Sequence, residues 1–255
     1  MAQVSVIVTT YNRKEYLTET INSILNQTFS DFELIVVDNF SEYDFFELIA
    51  SFNDKRIRGF QNANNGVIAT NRNIGIKHAR YEYLAFCDDD DLWISNKLET
   101  QLQFLINQKF DLVYSNTNLV YETGQIKQTN YKNINNISKL LKHNQITLSS
   151  VVLRNNRKVL FNEQNSFVAL EDYELWIRLI LEGYRFKFVE SPLVNYRVIK
   201  TSVSQQSKLK NEKINLNFRI FLLKKYNFSC LLKLVIVYRI CIRSLKYFVF
   251  SILKL

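Results

Sequence analysis

The apolar residues change period at regular intervals along the first third of the chain. Val4, Val6, Ile7 and Val8 form a β-branched run that predicts a buried strand over 4–9. Leu17, Ile21, Ile24 and Leu25 then recur on one face of an amphipathic helix over 14–27. A second strand is expected over 32–38, a helix near 44–52, a short strand near 58–61, a helix from 67 to 78 and a strand ending at Cys87. Strands alternating with helices predict an α/β fold with a mostly parallel sheet, and ligands of such sheets bind beyond the carboxyl ends of the strands. Further on, the pattern predicts a helix over 94–108 and strands over 111–114, 118–122 and 146–154, with a turn at Thr123-Gly124. Leu175, Leu179 and Ile180 give a helix beginning near Leu170 its apolar face, behind an acidic first turn.

The strand ends are where chemistry is expected, and all are polar: Thr9-Thr10-Tyr11-Asn12, Asp38-Asn39, and the four aspartates Asp88, Asp89, Asp90 and Asp91. Carboxylates about 4 Å apart repel by ~4 kcal/mol at an effective dielectric near 20, a cost that a coordinated divalent cation reverses. A metal or phosphate site is one reading of this tetrad. Capping of a helix near Ile94 is the other, although four acids are more than a cap requires. Asp172, at the start of its helix, is open to the same two readings, catalysis or capping. No Gly-x-Gly-x-x-Gly follows the first strand and no Gly-Lys-Ser/Thr loop occurs, which speaks against a dehydrogenase-type dinucleotide fold and a P-loop.

Composition narrows the class. A chain of 255 residues that is 47% apolar can bury one sizeable core. Its three cysteines are scattered, which suits reduced, mostly buried thiols, and two histidines leave little room for imidazole chemistry. Trp93 and Trp176 are expected in the core and His78 on an outer helix face. No secretory signal is recognisable at the N-terminus, so a cytoplasmic protein is expected. The net charge of +9 is uneven: residues 1–200 hold 22 Lys and Arg against 23 Asp and Glu, and residues 201–255 hold 11 against Glu212 alone.

From Lys208 onward the pattern is helical, basic and apolar, with Arg239, Arg243 and Lys246 on one face and Leu234, Val237, Cys241, Leu245, Phe248 and Ile252 opposite. Lys233 and the three other basic residues interrupt any stretch of about 20 apolar residues, so a spanning helix is not expected. Contact with an anionic membrane surface is, at about 1 kcal/mol per basic residue. Packing of the helices on the body, or on a second subunit, is the competing expectation. Nucleic acid is not expected as a partner, because no recognised binding module accompanies the charge.

Taken together, Val4 through Asn12, Leu25-Asn26-Gln27-Thr28-Phe29, Ile35-Val36-Val37-Asp38-Asn39, Asn71-Arg72-Asn73-Ile74-Gly75, Phe86 through Trp93 and Glu171-Asp172 stand in the order found in family 2 glycosyltransferases, which the chain resembles over residues 1 to about 200. The resemblance implies a GT-A fold, Rossmann-like with a mostly parallel central sheet flanked by helices. It places a glycosyltransferase domain at 1–204, with a nucleotide-sugar half at 1–95 and an acceptor half at 96–204. Residues 205–255 then form a basic amphipathic helical tail, a candidate membrane-surface anchor.

It also implies a nucleotide-sugar donor, Mn2+ or Mg2+, and inversion at the anomeric carbon. Thr9, Tyr11, Asp38 and Arg72 match positions that contact the nucleotide. Asp88 and Asp89 match the ribose-facing or water-mediated part of an Asp-x-Asp motif, Asp90 its metal ligand, and Asp172 the general base. Asn39 replaces an acid found in many relatives, which bears on the base recognised, with UDP the first expectation. The acceptor implied is a glycan or lipid-linked glycan, as in capsule, O-antigen or lipopolysaccharide synthesis, at the inner face of the plasma membrane. Two other classes are weighed: a nucleotidyltransferase making nucleotide sugars, which usually has a Gly-rich basic loop where this chain reads Thr-Thr-Tyr-Asn, and an inactive subunit of a polysaccharide complex, which would not need Asp90 and Asp172.

Overall fold

The structure, a computed structural model, describes residues 3–107, 109–134, 136–156, 159–164, 169–199 and 208–253, with the side chains of 208, 249, 250, 252 and 253 outside the description. Four parallel strands, β1 (Val4–Thr10), β2 (Phe32–Asp38), β3 (Ile57–Gln61) and β4 (Tyr83–Asp88), alternate with α1 (Lys14–Leu25), α2 (Phe45–Ser51) and α3 (Ile68–His78). Every residue of β1 and β2 is buried, as expected of strands covered on both faces. Alternate residues feed two apolar layers. Ile7, Ile35, Leu84 and Phe86 point to one, and Val6, Val8, Leu34, Val36 and Ala85 point to the other with Leu17, Ile21 and Ile24 of α1.

The sheet continues through β5 (Leu92–Trp93), β6 (Leu112–Tyr121), β8 (Val152–Arg154) and β9 (Phe186–Val198) in the order β3-β2-β1-β4-β8-β6-β9-β5, with β7 (Ile126–Gln128) paired to β6. β1 lies between β2 and β4, so the strand order reverses there, and a crevice opens at the carboxyl ends of β1 and β4 where Thr9 registers with Asp88. Gly75 lets α3 lie close over this region. A Cβ there would sit 2.5 Å from Ile7 Cγ2, and Arg72, one turn earlier, is thereby held at the crevice.

Several expectations are corrected. The helix expected from 94 begins at Lys97, as α4 (Lys97–Asn107), because Leu92–Trp93 first pairs with β9. The two strands expected over 111–114 and 118–122 are the single strand β6. Its polar middle, which resembles a loop in sequence, is buried, with Asn116 Nδ2 donating to the Glu190 carbonyl at 2.7 Å. Residues 146–154 are not one strand, because a 3-10 turn at Leu148–Ser150 precedes β8, with Ser150 Oγ bonded to the Thr147 carbonyl at 2.7 Å. Cys87 is buried, but Cys230 and Cys241 are exposed. Trp93 and Trp176 are core residues, and His78, partly buried, stacks on Phe60 at 4.0 Å.

The acceptor side adds α5 (Ile137–Lys142) and α6 (Glu171–Leu181), and the chain continues through α7 (Lys208–Lys225) and α8 (Cys230–Leu253). Phe218, Leu222, Phe228 and Ile236 of the last two helices and their connection are buried in the same apolar cluster as Leu175 and Trp176 of α6. The three arginines of these helices turn inward, while their described lysines are exposed. Arg219 donates to the Leu141 carbonyl at 2.9 Å, Arg239 donates to the Lys142 carbonyl, and Arg243 pairs with Glu212 at 2.6 Å. Lys225 Nζ and Tyr226 Oη both reach Glu174, at 3.1 and 2.5 Å.

Most of what α8 presents outward is apolar, with Lys233 and Lys246 also exposed. Leu231, Leu234, Val237, Tyr238, Leu245 and Phe248 are all exposed, on a stripe about 120° wide at 100° per residue. Ile252, placed on this stripe by the sequence, lies outside the described side chains. Among the described residues no helix is long and apolar enough to cross a membrane.

Candidate active site

A cavity of about 520 Å³ opens at the switch point between β1 and β4. Its wall on the β1 and β4 side holds Thr9, Arg13, Arg72, Asp88, Asp89 and Asp90, and Glu171 and Asp172 enter from the first turn of α6. Leu119, Tyr131, Ile146, Leu148 and Tyr196 supply a less polar wall from β6, β9 and the segments before and after α5. A cavity of this size suits a small molecule.

The aspartate tetrad is a tight turn between β4 and β5, closed by Asp91 N–H donating to the Asp88 carbonyl at 3.1 Å. Thr20 of α1 buttresses it, its hydroxyl 2.9 Å from the carbonyls of both Asp89 and Asp91. Because α4 starts only at Lys97, none of the four caps it. Asp91 points away from the cavity, fully buried, and accepts from Ser149 Oγ at 2.5 Å and from the Arg197 backbone at 3.3 Å. The other three face the cavity and draw in two arginines. Arg13 Nη1 lies 3.1 Å from Asp89 and 2.8 Å from Asp90, and Arg72 bridges Asp88 at 2.8 Å to Glu171 at 2.6 Å. Arg72 is buried, stands 5.4 Å from the Phe161 ring centroid, and ties the tetrad to the helix that carries Asp172.

Five carboxylates thus meet two guanidinium groups around one cavity. Burial, offset in part by Arg13, raises Asp89 to about 6, and burial together with Asp88 also raises Asp90. Asp172 is partly exposed to the cavity and otherwise enclosed by protein, and this burial plus repulsion from Glu171 pushes it up to about 7. Its Oδ1 accepts from the Tyr173 backbone at 2.6 Å, and the helix N-cap position is Leu170.

Of the residues singled out in the sequence, Thr9, Arg72, Asp88, Asp89, Asp90 and Asp172 line this cavity. Thr9 Oγ1 is buried there without a partner among the described residues. Asp38 lies outside the lining, fully buried, with Ser41 Oγ at 2.5 Å, Ser41 N at 2.9 Å and Gln61 Nε2 at 2.9 Å on its carboxylate. Asn39 Oδ1 accepts from the Asn64 backbone at 2.8 Å, and Tyr11 is exposed at the end of β1, also outside the lining. Sequence reasoning missed Arg13. The available signal was a basic residue just past the end of β1, beside a strand whose end carries an uncompensated acidic run. It also missed Tyr131 and Tyr196, which carry no local motif.

A switch-point cavity lined with strand-end carboxylates and faced by a helix-borne acid is the ligand site of an open α/β fold. Among solved structures, the fold matches that of TarS of S. aureus with a TM-score of 0.69 at 21% identity, over 95% of this chain and 43% of that one. It also matches a mannosyltransferase of Pyrobaculum calidifontis, solved in complex with GDP-Man and Mn2+, with a TM-score of 0.70 at 14% identity, over 96% and 71%. The model of Glycosyl transferase family 2 matches residues 5–162, and the chain belongs to that family.

Among its relatives is an Escherichia coli protein named UDP-Glc:alpha-D-GlcNAc-diphosphoundecaprenol beta-1,3-glucosyltransferase WfaP, 30% identical over 94% of this chain and 98% of that one. Another, the E. coli O-antigen biosynthesis glycosyltransferase WbnJ, is 29% identical over 89% and 93%. The protein is therefore a glycosyltransferase, and the nucleotidyltransferase and inactive-subunit readings are set aside.

Proposed function

We propose that the protein moves one sugar from a nucleotide diphosphate sugar, a UDP-sugar in the first instance, to a hydroxyl of a lipid-linked oligosaccharide or surface glycan, with inversion. The observation that carries this reading is the entry of Asp88, Asp89 and Asp90 and of Asp172 into one cavity from different elements. Leaving-group and acceptor chemistry then have separate acids. The name of the E. coli relative WfaP favours UDP-glucose and a lipid diphosphate-linked acceptor, and that of WbnJ favours O-antigen synthesis.

Asp172 takes the proton of the acceptor hydroxyl. The oxygen forms its bond to the anomeric carbon as the bond from that carbon to the diphosphate breaks, and the electron pair leaves on the diphosphate oxygen. One displacement on the face opposite the leaving group inverts configuration. Thr9 and Arg72 contact the nucleotide side, Arg13 holds Asp89 and Asp90 in place, and Arg72 fixes the α6 turn through Glu171. On this reading Tyr11, Asp38 and Asn39 shape the nucleoside end, Asp38 by bracing the loop through Ser41.

The donor set fits Mn2+ or Mg2+. Asp88 and Asp90 offer hard carboxylate oxygens whose charge is only partly cancelled, and such ions are held by one or two carboxylates together with substrate phosphates. Asp90, with Asp88 or Asp89, would hold such an ion, which would supply positive charge against the negative charge developing on the departing diphosphate.

Residues 1–204 are read as the catalytic unit and 205–255 as a tail that meets the membrane, placing the enzyme at the inner face of the plasma membrane. The support is the outward apolar stripe of α8, with Lys233 and Lys246 exposed on the same helix.

Transfer from UDP-glucose to a diphosphate-linked GlcNAc lipid tests this reading, with Asp90→Ala and Asp172→Asn as controls. Product formation that both variants abolish is expected, and undiminished transfer by either variant contradicts the roles given.

A further inference from the structure

Beside the cavity lies a second, apolar concavity of about 420 Å³, between the end of α5 and α8, lined by Lys142, Leu231, Leu234, Val235, Tyr238 and Arg239. The two hollows are joined by a short piece of chain. Lys142 lines the groove, Asn144 lines the active-site cavity, and His143 between them is extended, so the two stand about 7 Å apart along the backbone.

Positive charge gathers at this junction. Arg219 and Arg239 reach the carbonyls of Leu141 and Lys142, and burial followed by Arg239, Arg243 and Arg219 holds His143 below its usual range. Carbonyl bonds orient a guanidinium without cancelling its charge. Among the described residues only Arg243 has a carboxylate partner here, Glu212, and the side chain of Lys142 is exposed. The Nε atoms of Arg219 and Arg239 are buried donors with no acceptor among the described residues. An apolar trough ending in uncancelled cations, within a diphosphate link's reach of a sugar-transfer cavity, matches a ligand with a long apolar chain, an anionic head and a sugar beyond it.

We propose that the groove between α5 and α8 binds the apolar chain of a lipid diphosphate acceptor, with its diphosphate at Lys142, His143 and Arg239, so that the attached sugar enters the cavity beside Asn144 and Asp172. This rests on the lipid-linked acceptor reading above and adds the site that selects it. The occupant of the hollow is the single chain of the acceptor, with Val237, Leu245 and Phe248 of the stripe, outside its lining, left to the bilayer, because the hollow is bounded on one side by α5 and ends in charge toward the active site.

The test is calorimetric binding of farnesyl diphosphate, inorganic diphosphate and farnesol to the full chain, with a chelator present to weaken diphosphate binding in the donor cavity. Farnesyl diphosphate binds at least tenfold more tightly than either half alone. The double variant Leu234→Asp, Tyr238→Asp removes that tenfold gain and leaves inorganic diphosphate unchanged, while Leu234→Met retains it. Lys142→Glu weakens farnesyl diphosphate severalfold and farnesol not at all. These side chains are exposed, so melting temperatures stay within a few degrees of the parent.

Equal affinity for farnesyl diphosphate and either half, or a farnesyl gain that survives the double variant, overturns the proposal. So does a double variant that loses only its hold on phosphatidylcholine vesicles, since the face would then contact bilayer alone. Binding is read without donor or turnover. A protein that binds as described but transfers nothing contradicts the acceptor reading and keeps the groove. One that transfers to lipid acceptors without groove-dependent binding does the reverse.

Discussion

The strand-end site and the C-terminal helical pair handle charge in opposite directions. At β1 and β4 the carboxylates face the cavity, and Ile7, Leu84 and Phe86 fill the layer behind them. In α7 and α8 the arginines turn inward to carbonyls and to Glu212, and leucines and aromatics face out. Each region leaves something different uncompensated. Around the cavity it is negative charge, since five acids meet two arginines, and that region calls for a cation. On α8 it is apolar area, with positive charge drawn in behind it toward the active site. A basic tail read from sequence suggests that its charge faces outward, whereas here the exposed stripe of α8 is apolar.

The contrast is tested most severely at the reacting groups. Asp172→Asn lowers the transfer rate by ~10³, the range expected for loss of a general base. The same variant is more stable at alkaline pH. The folded state holds the Asp172 proton up to about 7, above the unfolded value, so stability falls as pH rises from the ordinary carboxylate range through 7. Removing the charge therefore raises the melting temperature at pH 8, by about 2–4 °C, as scanning calorimetry will register. A loss of stability at that pH would mean the carboxylate is not strained in the fold.

Arg72→Met leaves Asp88 and Glu171 without their shared counter-charge, and it costs about 3–5 kcal/mol in denaturant unfolding. Arg243→Met on the helical side, where one partly exposed pair is lost, costs about 1 kcal/mol or less. Comparable losses would erase the distinction between the regions. Within α7 and α8, Phe218→Ala costs about 3 kcal/mol because it empties a site in the shared core, whereas Leu245→Ser stays within about 0.5 kcal/mol. The smallest effect is in the pH profile. With Asp172 as base, the rate rises about tenfold per pH unit up to about 7 and then levels, and a bound cation moves that bend to lower pH.

The β1 to β4 half was largely legible, because covered parallel strands are continuous apolar runs and the helices between them are amphipathic, so each strand end could be named in advance. Six of the nine candidate residues line one cavity for that reason. Arg13 was hidden because its role depends on a turn far away in sequence, and Asp91 differs from its neighbours only through Ser149, 58 residues on. The acceptor side was less legible for a related reason. Buried polar strands such as the middle of β6 read as loops until their partners on β9 are known. The orientation of α8 was also not readable, since an amphipathic pattern defines two faces without saying which one docks.

The central claim, that the acidic wall is a metal-dependent nucleotide site, is tested most directly by calorimetric titration of UDP with and without Mn2+ on the parent and on Asp90→Ala. The account predicts binding by the parent only when Mn2+ is present, preference for UDP over GDP and CDP, and loss of the metal-dependent component in the variant. UDP binding of equal strength without metal, or unchanged in Asp90→Ala, would contradict it.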